Sequence, residues 1–226
     1  MGGTGGFKWP GAGENRSTGS ESSGDQKGWL WPSGAMATKA RTAGPGDGAS
    51  GAAELPNKVE NGLYIGSVLS EQNHTALSCL SITHVLQTAD LLQPSHKRKF
   101  KYLSIPVIDL ESEDLVTWFP KAFAFIEEGI HSGGVLVHCA AGVSRSATFV
   151  LGFLMSHRHM SLSTAMHTLQ SARPEVCPNN GFFQQLEEFE RIGCDTSKWT
   201  PWSQVWSSES TGGLSLNPFA SFSRPS

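Results

Sequence analysis

The chain has 226 residues, of which 16% are charged and 38% hydrophobic, and a formal net charge of -3. This length suits one good-sized domain with extensions on either side, and this composition suits a soluble protein. The near balance of charge leaves no overall basic field of the kind that favours nucleic acid or an anionic membrane surface, so neither partner is expected.

The four cysteines, Cys79, Cys139, Cys177 and Cys194, are widely spaced, without a C-x-x-C pair or histidines at zinc-ligand spacing. A reduced protein of the cytoplasm or nucleus is expected, with no metal site and no cofactor. No apolar run reaches the roughly 20 residues that span a bilayer, and the N-terminus lacks a signal-peptide core.

Residues 1–53 are dense in Gly, Ser, Ala and Thr and almost free of Leu, Ile and Val, a composition that cannot offset the entropy of ordering. They read as a disordered extension. Phe7, Trp9, Trp29 and Trp31 are stray aromatics within it, and Met36 is a candidate alternative start.

From Glu54 the pattern becomes apolar and periodic. Residues 62–69 (GLYIGSVL) and 82–89 (ITHVLQTA) read as strands with a helical stretch from Ser70 to Cys79 between them, and 101–109 (KYLSIPVID) as a further strand. Phe119, Phe123, Ile126 and Ile130 recur at helical spacing, with Pro120 tolerated in a first turn. The apolar strand GVLVHC follows, then helices from Ser146 to Met155, after a Ser161 cap, and from Gly181 to Ile192. Strands alternating with helices predict an α/β fold with a central, mostly parallel sheet flanked by helices.

Residues 194–226 form a Ser-rich tail, expected to be disordered. Trp199, Trp202 and Trp206 share a helical stripe that Pro201 interrupts. Packing of these rings back on the domain and a partner motif are equally open readings.

The densest signal is HCAAGVSRS, residues 138–146. A cysteine at a strand end is ordinarily a small hydrophobe. Here, however, the chain turns through Gly142 and enters a helix at Ser146, an arrangement whose backbone N–H groups form an anion nest aided by the helix dipole. The same field stabilises a thiolate at Cys139. Arg145 closes the turn with a planar guanidinium suited to two phosphate oxygens. A nucleophilic sulfur and a phosphate clamp in one loop imply phosphoryl transfer to sulfur.

These residues resemble the cysteine-dependent protein tyrosine phosphatases, and the Ala/Gly/Val/Ser loop interior with FLM downstream is similar to the dual-specificity branch. The resemblance extends to PVIDLESEDL and VCPNNGFFQQLEEFE and so covers about residues 54–193, the expected catalytic domain. It is nearest to members whose catalytic domain precedes a zinc-binding domain, but no cysteine follows Cys194 here.

The resemblance implies a protein tyrosine phosphatase-like fold and a phosphocysteine intermediate on Cys139. It assigns the general acid to Asp109, with Asp114 as competitor, since Glu111, Glu113 and Asp114 form an acidic cluster that otherwise reads as first-turn residues of a helix. Substrate phosphate would sit on Ala140, Ala141, Gly142, Val143, Ser144 and Arg145. Ser146 would ease departure of the sulfur, His138 would orient the loop, and Asn179 or Asn180 would brace it. Cys79 is the candidate disulfide partner of an oxidised Cys139.

The loop lacks the lysines of lipid-phosphatase relatives, so phosphotyrosine and phosphoserine or phosphothreonine in proteins are the expected substrates. The basic run 96–103 (HKRKFKYL) is similar to a kinase-docking peptide, or is a solvated loop. The rival functions are a phosphoprotein-binding module without turnover, a phosphatase of non-protein monoesters, and a sulfur-transfer or redox enzyme.

Overall fold

The computed structural model describes residues 54–205, so the expectations for residues 1–53 and for Trp206 onward lie outside the described residues. Its first strand, β1 (Asn57–Glu60), has no counterpart in the sequence reading, because NKVE offers a single apolar residue. β1 turns through Gly62, whose φ of +80° suits glycine, into β2 (Leu63–Gly66), and the two pair antiparallel.

β2 is shorter than expected because the Ser67 hydroxyl accepts from Leu69 N and starts helix α1 (Val68–Gln72). The single helical stretch expected next is broken at Asn73, whose side chain accepts from Ala76 N and starts α2 (His74–Cys79). After β3 (His84–Thr88) comes β4 (Lys101–Ile105), which stops where Pro106 brings no N–H to the ladder. A 3-10 turn, Val116–Trp118, leads into α3 (Phe119–His131), with Pro120 in its first turn as expected. Then follow β5 (Val135–His138), α4 (Arg145–Arg158), α5 (Leu162–Ala172) and α6 (Asn180–Arg191). Ser161 caps α5 by accepting from Thr164 N.

The sheet order is β1-β2-β5-β3-β4, and every pairing other than β1 with β2 is parallel. Alternation along the central strands divides the core in two. Leu63, Ile65, Leu86, Val135 and Val137 join the larger apolar cluster, which includes Phe119, Phe149, Phe153 and Phe182. Tyr64, Val85 and Leu136 face the smaller one with Leu77 and Phe100. α4 is buried continuously from Ser146 to Met155, as a helix apolar on all sides should be. Replacing Phe149, which is fully buried, by alanine should cost about 3–5 kcal/mol.

The tail departs from the expected disorder through residue 205. A 3-10 turn at Thr196–Lys198 follows Cys194, Trp199 packs on the larger core cluster, Trp202 is 5% exposed, and residues 202–205 form a helical turn. No helix among the described residues is long and apolar enough to cross a membrane.

Candidate active site

Parallel strands deliver their C-terminal ends to one edge, where sites of open α/β sheets form. Ser67 follows β2, Asp90 follows β3, Asp109 follows β4 and Cys139 follows β5. Between β5 and α4 the chain makes a tight loop. Gly142 is indispensable there, because its φ is +73° and a Cβ would lie 2.4 Å from Gly66 O. Val68 N donates to Ala140 O at 3.2 Å and fixes the other side of the loop.

Cys139 Sγ lies inside this loop, 1% exposed. Gly142 N donates to it at 3.2 Å, and Ser146 Oγ lies 3.3 Å away. Burial opposes the thiolate, but the Ser146 hydroxyl and the N–H groups of Ser146, Gly142 and Val143 outweigh it and hold the Cys139 thiol below its ordinary value.

Arg145, the first residue of α4, projects between two carboxylates. Its NH1 donates to Val107 O at 3.2 Å and lies 3.7 Å from Asp90 Oδ1. Its Nε is 3.6 Å from Asp109 Oδ2, too long for a hydrogen bond, and has no other partner among the described residues.

Asp109 is half-exposed, and its Oδ1 accepts from Ser144 Oγ at 2.7 Å and from Asn179 Nδ2 at 2.9 Å. Asn179 N donates to Ser144 Oγ at 3.2 Å, and its own side chain caps α6 by accepting from Phe182 N. Asn179 therefore bonds both Asp109 and Ser144 of the cysteine loop, whereas Asn180 is an exposed first residue of the helix.

Asp114 is not a first-turn residue of α3, whose first turn carries no acidic side chain. It accepts from Thr117 N at 3.1 Å, and from Trp199 Nε1 and Trp202 N, so it serves the 3-10 turn and the tail. Glu111 and Glu113 also precede that turn. His138 is fully buried and its Nδ1 donates to Cys139 O at 3.2 Å. Burial holds its pKa below the ordinary imidazole value and favours the neutral ring.

Cys79 ends α2 near the start of β3, at the opposite edge of the sheet from Cys139, and is not placed to form a disulfide with it. In the basic run, Lys97, Arg98 and Lys99 are exposed, but Phe100 is buried and Lys101 pairs with Glu128 at 2.5 Å.

Three participants were not identified from sequence. Asp90 carries one signal, its position just beyond a parallel strand. Arg173, 6% exposed, donates from Nε to Gly142 O at 3.0 Å and from NH2 to Ala141 O at 2.9 Å. Glu54 holds Arg173 NH1 at 3.0 Å and also accepts from Ser67 and Ser70. Among the described residues no cluster of His, Cys, Asp and Glu could hold a metal ion.

Residues 63–192 match the family model described as dual specificity phosphatase, catalytic domain. The chain is 40% identical over 138 residues to dual specificity protein phosphatase 1 of Arabidopsis thaliana, covering 61% of this chain and 70% of that protein. It is 42% identical over 136 residues to dual specificity protein phosphatase 1B of the same plant, covering 60% of this chain and 81% of that one. The crystal structure of the Yvh1 phosphatase domain from Chaetomium thermophilum superposes with a TM-score of 0.57 at 30% identity, covering 63% of this chain and 99% of that chain. Glu54 lies upstream of the family-model match, and Trp199 and Trp202 lie downstream of it.

Proposed function

Since this chain belongs to the dual specificity phosphatase family, we propose that Cys139, Arg145, Asp109 and Ser146 carry its protein phosphatase reaction through a phosphocysteine intermediate. The Cys139 thiolate attacks phosphorus and the bond to the phenol or alcohol oxygen breaks. Asp109 gives that oxygen its proton from Oδ2, the carboxyl oxygen that Ser144 and Asn179 leave free. Arg145 turns its fork from Asp90 and Asp109 to two phosphate oxygens, and the amides of residues 140–145 hold the remaining charge. In the second step water attacks phosphorus, Asp109 takes its proton, and the Ser146 hydroxyl steadies the departing sulfur. Inorganic phosphate leaves.

The observation that carries this reading is the convergence on one sulfur of the Gly142 amide and the Ser146 hydroxyl, with Asp109 joined to the same loop through Ser144 and lying 3.6 Å from Arg145. Supporting a catalytic unit that starts at Glu54 is its bonding to Ser67, Ser70 and Arg173 around the cysteine loop. Leu91, Ile108 and Leu110 are exposed next to Asp90 and Asp109 and give the mouth an apolar rim for a phenol ring or a threonine methyl. Ala140, Ala141 and Val143 offer no cation for additional phosphates of a lipid headgroup, which favours phosphoproteins.

Phosphorylated kinases are partners that the exposed Lys97, Arg98 and Lys99 would attract through acidic segments. A reducing compartment, cytoplasm or nucleus, suits the free thiol of Cys139. Phosphate release from phosphotyrosine and phosphothreonine peptides tests the assignment. Wild-type protein should turn over both, Cys139→Ser should turn over neither yet still bind them, and normal turnover by Cys139→Ser would refute it.

A further inference from the structure

We propose that Trp202, downstream of α6, is a positioning residue for proton transfer: with Asp114 and Trp199 it clips the loop that carries Asp109. The inference rests on Asp109 being the general acid. This loop runs exposed from Ile108 to Glu111 and has few holds of its own. At one end Asp109 Oδ1 is fixed by Ser144 and Asn179. At the other, Gln185 Nε2 donates to Glu113 O at 2.7 Å and Gln185 Oε1 accepts from Leu115 N at 3.0 Å.

Between these ends stands Glu111, two residues from the acid, and Trp202 Nε1 donates to its carbonyl at 2.9 Å. From the other side α6 presses on the same carbonyl, because a Cβ at Gly181 would lie 2.1 Å from Glu111 O. The Trp202 ring is anchored in turn. Trp202 is 5% exposed, its backbone N–H donates to Asp114 Oδ2 at 2.8 Å, and its ring stacks on Trp199 at 6.3 Å between centroids. Trp199 Nε1 completes the clip with Asp114 at 3.2 Å.

A tail that merely added stability would not need an indole N–H directed at the backbone of the acid loop. Proton transfer requires the Asp109 carboxyl within hydrogen-bond reach of the leaving oxygen, and a displacement of about 1 Å costs up to about a hundredfold. The attacking sulfur itself is held by Gly142 N and the Ser146 hydroxyl, outside that loop.

The test measures kcat and KM of the full-length protein and of Trp202→Phe, Trp202→Ala and Asp109→Asn, on aryl phosphates from nitrophenyl phosphate to phenyl phosphate. In kcat/KM, which reports the step in which the leaving oxygen departs, Trp202→Ala should lose about tenfold on phenyl phosphate and nearly nothing on nitrophenyl phosphate. Trp202→Phe, which keeps the packing and loses only the donor, should show the same selectivity to a lesser degree, and carries the test if the alanine variant does not fold. Equal losses across the series, or none, overturn the clip while Asp109→Asn keeps its selectivity. If Asp109→Asn itself shows no dependence on the leaving group, the acid assignment falls and the clip with it.

Discussion

The Ser144 hydroxyl donates to Asp109 Oδ1 at 2.7 Å and thereby ties the loop of the nucleophile to the loop of the acid. Asn179 N donates to the same hydroxyl, so one oxygen joins the loops of the proposed nucleophile and the proposed acid, which lie thirty residues apart in sequence. Ser144→Ala should cost about 1 kcal/mol of stability and lower kcat/KM about tenfold on phosphotyrosine peptides. The loss on an activated aryl phosphate should be much smaller, which steady-state assays on the two substrates will show.

Removing the Ser146 hydroxyl should raise the Cys139 pKa, because that hydroxyl is among the groups holding it down against burial. In Ser146→Ala the pH midpoint of iodoacetamide alkylation should move upward and alkylation at pH 6 should slow. Loss of its hydrogen bond to the departing sulfur should also make the phosphoenzyme accumulate, visible as a burst.

Arg145→Lys should lower kcat/KM by about 10²–10³-fold, since an ammonium cannot grip two oxygens in one plane. The Lys side chain also cannot reproduce the fork held between Val107 O, Asp90 and Asp109. Circular dichroism should be unchanged, so the loss is read as chemistry.

Glu54 links stability to pH. Burial raises its pKa, but Ser67, Ser70 and Arg173 together outweigh this and hold it below the usual carboxylate value. A lowered folded-state pKa gives stability that is complete above the unfolded value and is lost as pH falls through the folded one. The Tm of the protein should therefore decline from about pH 5 downward, and Glu54→Gln should have a lower Tm at pH 7 with a flatter decline.

The legibility of these features in sequence follows from how they are encoded. α5 was readable because apolar residues recur at helical spacing behind a Ser161 cap, whereas the start of α6 is expected one residue late because Asn179 reads as a loop brace and not as its cap. β1 was not readable, since pairing with β2 rather than apolar content makes NKVE a strand. Cys139, Gly142, Arg145 and Ser146 were readable because side-chain type, spacing and glycine freedom all act within nine residues. Arg173 and Trp202 act on the carbonyls of Ala141, Gly142 and Glu111, and a bond to a backbone oxygen leaves no mark on the sequence of its acceptor.

Passage of phosphate through the sulfur of Cys139 leaves a covalent trace on the protein. Rapid-quench mass spectrometry during turnover of nitrophenyl phosphate addresses it directly, with peptide mapping of the phosphorylated residue. One phosphate is expected on Cys139, more of it in Ser146→Ala, and none in Cys139→Ser. Phosphate on another residue, or release of phosphate at the normal rate by Cys139→Ser, would contradict passage through this sulfur.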